Sequence, residues 1–163
     1  MTRLSTRLIC GTIFSLIACA QPTQPYYLVF LRPVSGRKPL AKDEGERIQS
    51  AHMANIRAMA VRGALVAAGP FDDTPATISG IFVIKSKSLE EARAIAAEDP
   101  TVFEHRNTVD VVEWRGPSGI GEEYVRLHQA NPATPENMGV HPFCMLYRGT
   151  GWERNDRAKI LRA

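Results

Sequence analysis

The chain has 163 residues, 44% of them hydrophobic and 23% charged, with a formal net charge of +3. These values fit one globular domain of ordinary size with extra segments, and exclude a low-complexity or disordered chain. Of the 20 basic residues, Arg3 and Arg7 lie in a leader-like start; without them 18 face 17 acidic residues, a near-neutral balance that argues against nucleic acid, which needs a clustered basic face.

Residues 1–18 have the layout of a secretory signal peptide. Met1–Arg7 is short and basic, Leu8–Ile17 is a compact apolar run, and Ala18-Cys19-Ala20 offers small residues for cleavage. The apolar run is shorter than the roughly 20 residues of a membrane-spanning helix. Leu16-Ile17-Ala18-Cys19 has the form of a bacterial lipobox, so Cys19 is expected to be the lipid-modified first residue of the mature protein. Cleavage after Ala20 is the alternative. Either route exports the chain to the bacterial cell envelope or periplasm, and any membrane contact is through the lipid anchor alone. Residues 19–25 then form a polar tether. Cys144 is left without a disulfide partner and reads most simply as a small buried hydrophobe.

Tyr26–Leu31 is apolar, branched and aromatic, and reads as a strand that stops at Arg32-Pro33. A loop with two prolines and two glycines follows. From about Asp43 to Arg62 the residues Ile48, His52, Ile56 and Met59/Ala60 recur on one helical face, and Gly63 closes the helix. Ala64–Ala68 is a second strand ending at Gly69-Pro70. A turn-rich stretch with Asp72-Asp73 leads to a third strand, Ile81–Ile84. Ser88 and Glu91 have capping-box spacing at the start of a second helix, whose buried stripe is Leu89, Ala92, Ile95 and Ala96. Asp99-Pro100 is expected to end that helix, because a residue before proline disfavours helix. A carboxylate there would oppose the helix dipole. Val109–Trp114 is the fourth strand.

The order strand, helix, strand, strand, helix, strand predicts an α+β, ferredoxin-like βαββαβ domain over residues 26–117. Its helices cover one face of a four-stranded sheet, so a second copy is expected on the other, giving a homodimer of the dimeric α+β barrel type. Residues 118–163 form a C-terminal extension: a helix in "GIGEEYVRLHQA", a polar linker, an apolar strand around "HPFCMLY" and a short helix from Arg154. The apolar pattern of Leu28–Arg32 repeats in Cys144–Arg148, as in a truncated second copy that adds an edge strand.

His52 is the candidate for chemistry. An imidazole in water titrates near about pH 6.5, so it exchanges protons around neutrality. Its place between two isoleucines turns it inward. The same pattern also fits a packed histidine hydrogen-bonded to one carboxylate. Trp114 reads as packing, and His105, His128 and His141 lack metal-ligand spacing. P-loop, dinucleotide and serine-hydrolase fingerprints are missing.

A helical His, a Gly-Pro after a short apolar strand and an Asp-Pro after a second helix together resemble the YciI-like (YCII-related) family, over roughly Tyr26 to Pro117. The resemblance implies a catalytic His52–Asp99 dyad, with Gly69 and Pro70 passing a substrate pocket; Asp72 and Asp73 read first as turn residues, with Asp73 the candidate for the pocket entrance. It implies cofactor-independent proton transfer, isomerase- or lyase-like, on a small cyclic or phenolic molecule, with no metal. A noncatalytic envelope lipoprotein that binds a small ligand or a partner protein through the same pocket is the alternative.

Overall fold

In the computed structural model the described residues are 22–72, 77–135 and 139–146. The expected signal peptide, Cys19, Asp73 and the short helix from Arg154 lie outside them. Four strands, β1 (Thr23–Pro33), β2 (Leu65–Pro70), β3 (Gly80–Ile84) and β4 (Asn107–Pro117), alternate with helices α1 (Lys42–Val61), α2 (Leu89–Ala97) and α3 (Pro100–Phe103). A fourth helix, α4 (Glu122–Ala130), follows β4. The sheet order is β2-β3-β1-β4 with every pair antiparallel. Each crossover therefore skips one strand, which is the split βαβ arrangement of the ferredoxin-like fold.

The central strand is longer than its apolar core. Thr23–Pro25, expected in the tether, pairs with Pro117–Arg115 of β4. Pro25 is tolerated because β3 ends its pairing at Tyr27, so the missing N–H faces no ladder. Val29 lies opposite Phe82 on one side and Val111 on the other, which puts all three on the helix-covered face. There Tyr27, Val29, Leu31, Phe82 and Ile84 pack with Met59 of α1 and with Ala92 and Ala96 of α2. The two alanines in α2 let that helix lie close to the sheet.

Local signals set the helix ends. Past α1, Gly63 takes φ +73°, its N–H bonds to Ala60 O, and Ala64 N–H reaches back to Met59 O. This is a Schellman stop of the kind glycine permits. Ser88 caps α2, its Oγ accepting from Glu91 N–H at 3.1 Å, while the Glu91 carboxylate accepts from Lys87 N–H at 2.6 Å. The expected break before Pro100 falls within two residues of Asp99, but the role of Asp99 is corrected. The second helix stops at Ala97, and Asp99 is instead the N-cap of α3, with Pro100 in its first turn. Pre-proline geometry does interrupt the helix, but proline is also the residue best suited to restart one.

The sheet's other face carries Tyr26, Leu28, Phe30, Ile81 and Val83 by alternation. The chain leaving β4 crosses this face at one end. Tyr26 Oη donates to Pro117 O at 2.9 Å and accepts from Ile120 N–H at 3.2 Å. Gly121, at φ +81°, sits so close to Val66 that a β-carbon would lie 2.8 Å from it. Tyr26 is fully buried as a result, and Trp114 packs against it with ring centroids 5.8 Å apart.

Residues 133–163 form a second unit. Its described residues, 133–135 and 139–146, hold neither helix nor strand, so the strand expected around "HPFCMLY" is not formed there. Cys144 is exposed rather than buried.

Candidate active site

The site begins with one fully buried carboxylate. Asp99 has no exposed surface, and a buried charge is tolerated only when its lone pairs are met. Both oxygens are met twice. Oδ1 accepts from Thr101 N–H at 3.0 Å and from the Thr101 hydroxyl at 2.6 Å. Oδ2 takes the His52 Nδ1 hydrogen bond at 2.7 Å and accepts from Asn55 Nδ2 at 3.2 Å. A carboxylate offers about four lone-pair sites, so Asp99 is saturated.

Two elements deliver those donors. Helix α1 presents His52 and Asn55, three residues apart and therefore neighbours on its surface. The first turn of α3 presents Thr101, and the carboxylate faces the positive end of that turn, not the opposing dipole expected from sequence. Burial pushes the Asp99 carboxyl up. The hydrogen bonds from His52, Thr101 and Asn55, with the charge of His52, outweigh burial and hold it below the usual carboxylate range.

An ionised Asp99 only accepts, so the proton between the pair belongs to His52 Nδ1. In the neutral imidazole this fixes the tautomer, with Nε2 as the acceptor. Nε2 has no protein partner among the described residues, and the side chain keeps 14% of its surface exposed. Phe82 of β3 lies against the ring, with centroids 5.9 Å apart and planes 25° apart. The imidazole is thus held from below by β3 and from one edge by Asp99.

The polar chain continues past the pair. Thr101 Oγ1 accepts from Asn107 Nδ2 at 2.9 Å, and Asn107 Oδ1 accepts from Ser79 Oγ at 3.1 Å. Sequence reading paired His52 with Asp99 but missed Asn55, Thr101, Asn107 and Ser79. Two signals were available. Asn55 shares the helical face of His52, and Asp-Pro-Thr is an N-cap pattern whose third residue turns back on the aspartate.

Gly69 and Pro70 lie on β2, an edge strand. Gly69 pairs with Ile81, which puts it on the face turned away from the helices, and Pro70 pairs with Gly80 on the helix side. The structure records no contact between either residue and His52 or Asp99.

A family model described as YCII-related domain matches residues 27–115, more than half of the chain. Among solved structures, 5-chloro-2-hydroxyhydroquinone dehydrochlorinase (TftG) from Burkholderia phenoliruptrix AC1100, in complex with 2,5-dihydroxybenzoquinone, is similar at 14% identity. The superposition has a TM-score of 0.41 and covers 55% of this chain and 92% of that one. No curated protein matches the chain.

Proposed function

Because the chain belongs to the YCII-related family, and because its helical His52 is seated on a buried aspartate, we propose that it is a proton-transfer enzyme. The reaction is isomerase- or lyase-like, needs no cofactor, and acts on a small cyclic or phenolic molecule. The observation that carries this reading is the saturated Asp99. A packed histidine needs only one acceptor, whereas here four hydrogen bonds hold the acceptor ionised and aimed at Nδ1.

His52 Nε2 takes a proton from the substrate's acidic C–H or O–H, and the ring becomes an imidazolium. Asp99 stabilises that charge through the existing Nδ1–H bond, as the carboxylate does beside other catalytic histidines. The proton is then returned to a second position of the same molecule, or to a leaving group. Asn55 and Thr101 keep the carboxylate from rotating. Gly69 and Pro70 lend main chain from the edge strand to the substrate pocket.

Turnover tests this reading. Small lactones and phenols are screened against the full chain by thermal shift, and hits are assayed for conversion or for solvent deuterium uptake. The expected result is activity in the wild type and a loss of at least about 100-fold in His52→Gln, the usual scale for a removed general base. A folded His52→Gln that converts substrate as well as the wild type sinks the proposal and leaves a binding protein.

The proposal includes two features of the setting. Export with lipid attachment at Cys19 is checked by mass spectrometry of the protein from a bacterial envelope, with Cys19→Ser as control. A second copy against the exposed Val112 and Trp114 on the far side of the sheet makes the active form a homodimer.

A further inference from the structure

The polar chain from Asp99 does not end in the core. Thr101, Asn107 and Ser79 form one wall of a cavity of about 300 Å³ between α1 and the loop that follows β1. That size is at the lower end of small-molecule sites, about 300–1,000 Å³. His52 does not line it. Arg37 and Arg106 do, and no acidic residue is among the lining.

The two arginines have donors to spare. Arg37 Nη1 donates to Arg106 O at 2.8 Å, and Arg106 Nη1 donates to Lys38 O at 2.9 Å. Each guanidinium has five N–H groups, so most remain unused. Neither meets a carboxylate among the described residues. Arg32, Arg47 and Arg62 are different, each paired to an acid, Asp110, Glu104 and Glu98 respectively. The main-chain carbonyls fix Arg37 and Arg106 against each other, so two like charges stand beside one hollow with no acidic partner among the described residues.

The neutral groups in the wall sharpen the ligand chemistry. The Thr101 hydroxyl donates to Asp99 and the Ser79 hydroxyl donates to Asn107, so both protons are already spent, and Gln49 adds a side-chain amide to the lining. One N–H of the Asn107 amide is spent on Thr101, leaving the other. Among the lining groups the two guanidiniums tip the balance toward N–H donors and positive charge. A group that only accepts and carries negative charge answers that pattern, and a carboxylate matches a guanidinium fork in shape. Leu40 and Ile48 add hydrocarbon to the lining, which an inorganic ion would not use.

We propose that this cavity is a binding site for a small organic carboxylate, gripped by Arg37 and Arg106 and packed against Leu40 and Ile48. The site rests on these contacts and not on proton transfer by His52. Thr101 couples the two, since it bonds Asp99 on one side and Asn107 on the other.

Calorimetric titration of the full chain at low salt tests the site, with benzoate as probe and benzyl alcohol and inorganic phosphate as comparators. Benzoate is expected to bind, and to bind about tenfold weaker or worse in Arg37→Gln and in Arg106→Gln, with partial recovery in Arg37→Lys and Arg106→Lys. Benzyl alcohol is expected not to bind, and added salt to weaken benzoate. Melting curves confirm that each variant is folded, and the Lys variants cover any loop loosening in the Gln forms. No benzoate binding at millimolar concentration overturns the proposal. So does undiminished binding in a folded Arg37→Gln/Arg106→Gln double variant, or phosphate bound in preference to benzoate. His52→Ala separates the two readings: benzoate binding is expected to survive there while turnover is lost.

Discussion

At the scale of single residues, Asp99 ties stability to site chemistry. Its carboxyl is held below the ordinary value, so its contribution to folding is complete above its unfolded value near about 3.9 and is lost as pH falls through the lower folded value. Denaturant unfolding followed from pH 7 down through the acid range should show that loss in the wild type. Asp99→Asn should flatten the acid slope and also lower stability at pH 7 by about 2–3 kcal/mol, because an amide cannot accept four hydrogen bonds. An unchanged acid slope in Asp99→Asn would show that other carboxylates carry the acid response. Asn55→Ala should cost less, about 1 kcal/mol, since three of the four donors to Asp99 remain.

Elements in this fold are held by a few backbone-level contacts that side-chain patterns do not display. Gly80 is one. A β-carbon there would sit 2.8 Å from Gly69 O on the neighbouring strand, and neither main chain can move without parting β2 from β3. Gly80→Ala should therefore destabilise the domain by about 1–3 kcal/mol, read as a lower denaturation midpoint. The Gly69-Pro70 pair reads differently in this light. Its place opposite Gly80 and Ile81 gives it a structural use at the sheet edge, independent of any ligand. Ser88→Ala should cost about 1 kcal/mol by freeing the Glu91 N–H from its cap. Equal stability of Ser88→Ala and wild type would mean that Glu91 alone satisfies the first turn of α2.

For the whole molecule, the sheet face turned away from the helices bears on the proposed assembly. The turn from Pro117 to Gly121 shields Tyr26, yet Val112 keeps 49% of its surface exposed and Trp114 37%. An apolar face of this kind is normally covered, and a second copy is the proposed cover. Sedimentation of the wild type at micromolar concentration should report a dimer, and Val112→Asp should shift it to monomer without unfolding it. A monomeric wild type would remove the homodimer from the proposal.

Much of this was legible without coordinates. Periodicity placed His52 inward on α1 with Ile48, and Gly63, Ser88 and Pro100 marked helix boundaries to within a residue or two, because capping and proline sterics act within one turn of chain. What lay beyond reach was of longer range. The break after Ala97 was readable, but the restart of a four-residue helix depends on Thr101 and Asn107 finding partners. The restart turned Asp99 from a helix end into an N-cap. Asn55 and Thr101 converge on one carboxylate only after two crossovers lay α1 and α3 side by side, and Ser79 reaches Asn107 across the same packed face. The chain's local order determined which residues face inward. Tertiary structure alone decided which of them meet, because sheet register and crossover geometry, and not sequence spacing, set distances between residues dozens of positions apart.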